Sequence, residues 1–121
     1  VFKTEFHAPH THVASILNPK EESDADQFFN FLEEVIAKDE FSLILITEGS
    51  KSFSPENKIK MNTWFKNNKK NLAHRCTGLV RVSQNQTTLS RLSSKALSLA
   101  MPCPYKTTNS LEEALHWIKN R

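Results

Sequence analysis

The segment FSLILITEGSKSFSPEN, Phe41 to Asn57, decides how the rest of this chain is read. Leu43 to Ile46 is an uninterrupted apolar run, the pattern of a strand covered on both faces of a sheet. A short polar loop follows, and then Ser54-Pro55-Glu56. Serine is a favoured N-cap, proline suits the first helical position because its missing N–H has no partner there, and an early glutamate faces the positive end of the helix dipole. The segment predicts a buried strand that delivers a helix N-terminus to the surface. Free backbone N–H groups gather at such a junction, which makes it a natural place to hold an anion, a phosphoserine or a partner's carboxylate.

On its N-terminal side, Phe2 to His7 and Thr11 to Leu17 read as two short strands about Ala8-Pro9-His10, a hairpin whose second strand separates no wet face from a dry one. From Asp24 to about Lys38, the residues Phe28, Phe29, Leu32, Val35 and Ile36 make a wide helical stripe, with Ser23 or Asp24 as N-cap. On the C-terminal side, Ser54 to His74 predicts the longest helix, its inner stripe of Met61, Trp64, Phe65 and Leu72 interrupted at Asn68. A strand over Thr77 to Ser83 and a third helix over Thr87 to Met101 come next, and Pro102 and Pro104 stop that helix. Tyr105 to Thr107 is a short strand. Ser110-Leu111-Glu112-Glu113 is a capping box that opens a last helix burying Leu111, Ala114, Leu115 and Ile118. The order ββαβαβαβα predicts a single α/β domain over residues 1–121, with a mostly parallel central sheet, an N-terminal hairpin and helices packed on the sheet.

The length of 121 residues suits one core without metal or disulfide staples. A net charge of +3 is too small to indicate a phosphate-tracking surface. Its distribution is uneven: residues 21–40 are rich in Asp and Glu, whereas Lys51 to Arg81 carries its basic residues against Glu56 alone. Cys76 and Cys103 are too few and too far apart in sequence for a disulfide framework or a zinc motif, so a reduced cytoplasmic protein is the simplest expectation. With Gly49 and Gly78 as its only glycines, the chain has no phosphate-cradling glycine loop, and it has no G-x-S-x-G elbow. No catalytic residue, metal site or cofactor is expected.

The predicted order, the segment Phe41 to Phe65 with its Ser-Phe-Ser-Pro and Trp-Phe pair, the strand around Gly78-Leu79-Val80 and the closing SLEEALHWI together resemble the SpoIIAA-like branch of the STAS superfamily, the anti-sigma-factor antagonists. The resemblance implies a small binding or regulatory module of a bacterial cytoplasm that docks a protein partner. In STAS antagonists the loop after the central strand ends in an Asp-Ser-Ser-Gly-like motif whose serine is phosphorylated by a partner kinase. Setting Phe53 on the apolar residue of that loop places Pro55, Glu56 and Asn57 where Asp-Ser-Ser would fall, so the phosphoacceptor is not matched. What the resemblance still implies is a recognition surface made by Ser50, Lys51, Ser52, Ser54, Glu56 and Asn57. Some SpoIIAA-like proteins also resemble lipid-binding folds, which implies the alternative of a carrier or sensor of a lipid or small apolar ligand at the inner membrane surface.

Each candidate has a plainer counterpart. Ser54 is explained as a helix cap worth about 1 kcal/mol, with an anion site as the functional alternative. His7, His10 and His12 suggest a metal site, but no carboxylate or cysteine stands at motif spacing to them. The lysines of the long helix suit a solvated face, or else an acidic protein or anionic lipid; without a base-reading motif, nucleic acid is not an expected partner. The acidic first helix meeting the basic one across a homodimer is a further alternative. The third helix could present Leu89, Leu92, Ala96 and Leu99, flanked by Arg91 and Lys95, to an apolar ligand or a membrane surface, or could simply pack.

Overall fold

A computed structural model describes residues 1–17, 22–47, 54–83 and 101–120. Among these residues the chain forms a five-stranded sheet whose spatial order, β1-β2-β3-β4-β5, is the order of the sequence. Strands β1 (Phe2–His7) and β2 (Thr11–Ile16) make the antiparallel hairpin, in register from Phe2 opposite Ile16 to His7 opposite Thr11. Strands β3 (Phe41–Thr47), β4 (Cys76–Val82) and β5 (Tyr105–Thr108) add in parallel, each beside its predecessor. The sheet is thus mostly parallel with an N-terminal hairpin, as the alternation of elements predicts.

The apolar run of β3 is explained by its two covered faces. Phe41 and Leu43 join one core with Ala14 and Ile16 of β2, Leu79 of β4 and the stripe of helix α1 (Glu22–Ile36). Ile44 joins a second core with Val13, Val80, Val82 and Ala114, the last from the closing helix. The facing of β2, ambiguous in sequence, is settled by this partition: Ala14 and Ile16 turn toward α1 and Val13 turns away. Between Phe41–Ser42 and Cys76–Gly78 the register slips by one residue, a β-bulge at Thr77. Thr77 Oγ1 is 2.6 Å from Ser42 Oγ and also donates to the Phe41 carbonyl, so the bulge is tied down by side-chain hydrogen bonds.

Helix α1 begins earlier than its capping residues suggest. It runs from Glu22 to Ile36, which places Ser23 and Asp24 inside the first turn rather than at the N-cap. Asp24 is buried and accepts a hydrogen bond from the Val1 nitrogen at 2.7 Å. A tertiary partner for the carboxylate thereby overrides the local capping preference.

The long helix expected over Ser54 to His74 is two helices, α2 (Pro55–Asn67) and α3 (Lys69–Arg75). Asn68 causes the break. Its side-chain amide donates to the Trp64 carbonyl at 2.9 Å, and its backbone N–H donates to the same oxygen at 3.0 Å. Asparagine competes in this way for helix carbonyls, which is why it sits poorly inside helices and well at their ends. The break lets α3 bury Leu72 in the first core while α2 packs only half-buried side chains against it. The closing helix α4 (Leu111–Lys119) starts as predicted, with Ser110 Oγ accepting from Glu113 N at 3.2 Å. Of its expected core residues Ala114 is fully buried, and Leu111, Leu115 and Ile118 are half-buried. The third helix expected over Thr87 to Met101 falls almost wholly outside the described residues; Met101 itself packs on the first core.

Candidate functional site

Two helix N-termini meet at the carboxyl end of the parallel strands. Helix α1 follows β2 and helix α2 follows β3, so both begin at that end of the sheet. They run side by side in the same direction. Asn57 Nδ2 donates to Glu22 Oε2 at 2.6 Å, the Lys60 ammonium lies 4.7 Å from the centre of the Phe29 ring, and Trp64 Nε1 donates to Glu33 Oε1 at 2.7 Å. The acidic helix and the basic helix therefore meet within one chain, in a single row of polar and cation–π contacts.

Of the six residues expected to form the recognition surface, Ser54, Glu56 and Asn57 are described; Ser50, Lys51 and Ser52 lie outside the described residues. Ser54 is the N-cap, its Oγ accepting from Asn57 N at 3.3 Å, and Pro55 follows in the first turn. Asn57 is a tie to α1, and Glu56 is exposed beside it. These contacts occupy part of the helix start. Pro55 has no N–H, the Asn57 N–H is given to Ser54, and the Glu22 carboxylate already faces the start of α2.

The junction leads into the outer side of α2. Among its described side chains none is fully buried; Met61, Trp64 and Phe65 are half-buried against the first core, with the Trp64 and Phe65 rings edge-to-face at 5.1 Å. Ile59 is 66 % exposed, the most exposed large apolar side chain among the described residues. Around it and along α3, Lys60, Lys66, Lys69, Lys70 and His74 are exposed. Arg75 is different: its guanidinium donates to the Ile36 carbonyl at 3.0 Å and holds the end of α3 to the end of α1.

The histidines do not converge. His7 pairs with Glu5 at 3.1 Å, and the His10 ring lies 3.4 Å from Ser42 Oγ. His12 lies between Phe6 and Phe31, with ring centres at 5.0 and 6.4 Å. Burial pushes the His12 pKa below its usual value, helped by the nearby charges of Lys38 and His10. No group of three or more His, Cys, Asp or Glu side chains among the described residues is placed to hold a metal ion. Nor is any helix among them long and apolar enough to cross a membrane. Residues 89–99 of the proposed ligand or membrane face (Leu89, Arg91, Leu92, Lys95, Ala96 and Leu99) lie outside the described residues.

Two features leave no local mark in the sequence. The Asn57–Glu22 contact joins residues of different helices with no shared motif. Cys76 and Cys103, distant in sequence, are both buried in the first core, where the Cys76 thiol donates to the Gly78 carbonyl at 3.4 Å. The bulge at Thr77 and the register of β4 with β5 bring them together.

Comparison with known proteins places the fold. The structure is similar along 98 % of this chain, and 92 % of the other, to an uncharacterized DUF3478-family protein with a SpoIIAA-like fold from Shewanella loihica PV-4, with a TM-score of 0.59 and 13 % identity. No protein-family profile and no curated protein matches the sequence.

Proposed function

With a SpoIIAA-like fold in hand, we propose that this chain is a non-enzymatic regulatory module whose strand-to-helix junction, residues 47–57, and helix α2 dock a partner protein with an acidic surface. The observation that carries the reading is Ile59, an isoleucine 66 % exposed on a helix that buries no described side chain fully. An apolar anchor ringed by charge is the usual make-up of a protein-binding hot spot. The surrounding lysines favour an acidic partner. Among the described residues the strand order β1-β2-β3-β4-β5 does not reverse, so the sheet has no switch point of the kind that forms a ligand crevice in open α/β folds, which favours docking on the helix surface. Phosphorylation at this junction is no part of the proposal, because a capped Ser54 followed by Pro55 and Glu56 replaces the family's acceptor motif.

The test is site-specific photo-crosslinking of the intact protein in the cells that make it, with the reactive side chain at position 59 and, as control, at Lys119 on α4. A distinct protein adduct at position 59, absent at position 119 and lost on reversing the charges of Lys66 and Lys70, is the expected result. The same adducts at both positions, or an adduct indifferent to the charge reversal, would overturn the proposal; an adduct with a second copy of the chain would identify a homodimer instead.

A further inference from the structure

We infer that Cys76 and Cys103 form a reversible thiol–disulfide site that clamps β4 to the segment leading into β5. The geometry comes from the backbone. Tyr105 pairs with Leu79 in parallel register, and Leu79 N donates to the Pro104 carbonyl at 2.8 Å, so the chain just before Tyr105, which bends at Pro102 and Cys103, approaches the Cys76 end of β4. Paired strands are about 4.8 Å apart, a spacing of the order a disulfide spans. In a regular strand Thr77, not Cys76, would share a face with Leu79. The extra residue of the bulge re-aims Cys76, so that Cys76, Leu79 and Cys103 all enter the first core. Pro102 and Pro104 restrict the backbone on either side of Cys103.

The neighbouring Cys103 and burial push the Cys76 thiol up. With hydrogen peroxide, one of the two sulfurs, as thiolate, attacks one peroxide oxygen, the O–O bond breaks, and the departing hydroxide takes a proton to leave as water. The other sulfur then attacks the resulting sulfenic acid, its proton and the displaced hydroxide leaving as a second water. Two thiols and one peroxide become one disulfide and two waters, with two electrons passing from sulfur to oxygen.

The site is independent of the docking surface and can be tested without a partner. The folded wild-type protein is treated with hydrogen peroxide, quenched and mapped by mass spectrometry without reduction. One intramolecular species linking the Cys76 and Cys103 peptides, lighter than the reduced form by two hydrogens and restored by dithiothreitol, is expected. Closing the 76–103 loop is also expected to raise Tm by on the order of 10 °C. The Cys76→Ser variant should stop at a sulfenic acid on Cys103; should that variant fail to fold, the wild-type map alone decides. Sulfinic or sulfonic acid with no linked peptide, linkage between two chains, or linkage only in denaturant would overturn the inference.

Discussion

Helices α1 and α2 lie side by side, start at the same end of the sheet and touch at three levels, yet they do opposite work. α1 commits nearly every apolar side chain to the first core: Phe28, Leu32, Val35 and Ile36 are buried, and even Asp24 is enclosed. α2 commits none completely and leaves Ile59 in solvent. Burial of an apolar side chain contributes roughly 1.5–3 kcal/mol, so α1 contributes far more to stability than α2 does. α2 is held by its cap, by contacts to α1 and by partial packing of Met61, Trp64 and Phe65. A helix attached in this way can present variable residues without endangering the core beneath it.

Substitutions can break or sharpen that contrast. Leu32→Ala, at a position with no solvent exposure, is expected to cost about 2–5 kcal/mol of unfolding free energy, read by urea denaturation. A loss below about 1 kcal/mol would mean that α1 is not the support described. Ser54→Ala removes the α2 cap and should cost about 1 kcal/mol in the same measurement, since the rest of α2's attachment stays in place.

A pH effect reports on the α1 side of the hairpin. The His12 pKa is lowered on folding, so between the folded value and the unfolded value near 6.5 the unfolded chain binds more protons. Stability from this group is complete above that unfolded value and is lost as pH falls toward the folded one. Thermal unfolding of wild type and His12→Gln between about pH 8 and 5 should show a steeper loss for wild type on the acid side. Parallel profiles would assign the acid sensitivity elsewhere. The smallest expected change in stability is Ile59→Asp, within about 0.5 kcal/mol of wild type, together with loss of the adduct predicted at position 59. Unchanged crosslinking at a neighbouring α2 position such as Thr63 in that variant would remove Ile59 from the docking role.

Much of the fold was legible in the sequence because its main signals are local. The run Leu43–Ile46, the stripe of α1 and the capping serines Ser54 and Ser110 each rest on residues a few positions apart, and the structure places all of them as expected. What escaped needed partners from elsewhere. The start of α1 depends on contacts that reach Asp24 across the fold. The break at Asn68 shows in sequence only as a polar residue on an apolar stripe, with neither glycine nor proline to mark it. At the candidate site the capping role of Ser54 was readable, but the tie of Asn57 to Glu22 and the exposure of Ile59 follow from the path of α2 along α1. The cysteine pair depends on a single-residue bulge, and a bulge carries little signature in composition.

The sequential strand order also bears on how the chain assembles as it is synthesised. Each parallel strand pairs with the one made just before it, so the free edge of the growing sheet always belongs to the newest strand. The β1–β2 hairpin can form first, and every later strand adds at the margin without being inserted between neighbours already joined. Each parallel pairing still has to close a whole crossover, as from Phe41 to Cys76, so these steps rather than the hairpin set the loop-closure cost of assembly. Such a sheet grows from N-terminus to C-terminus in the direction of translation.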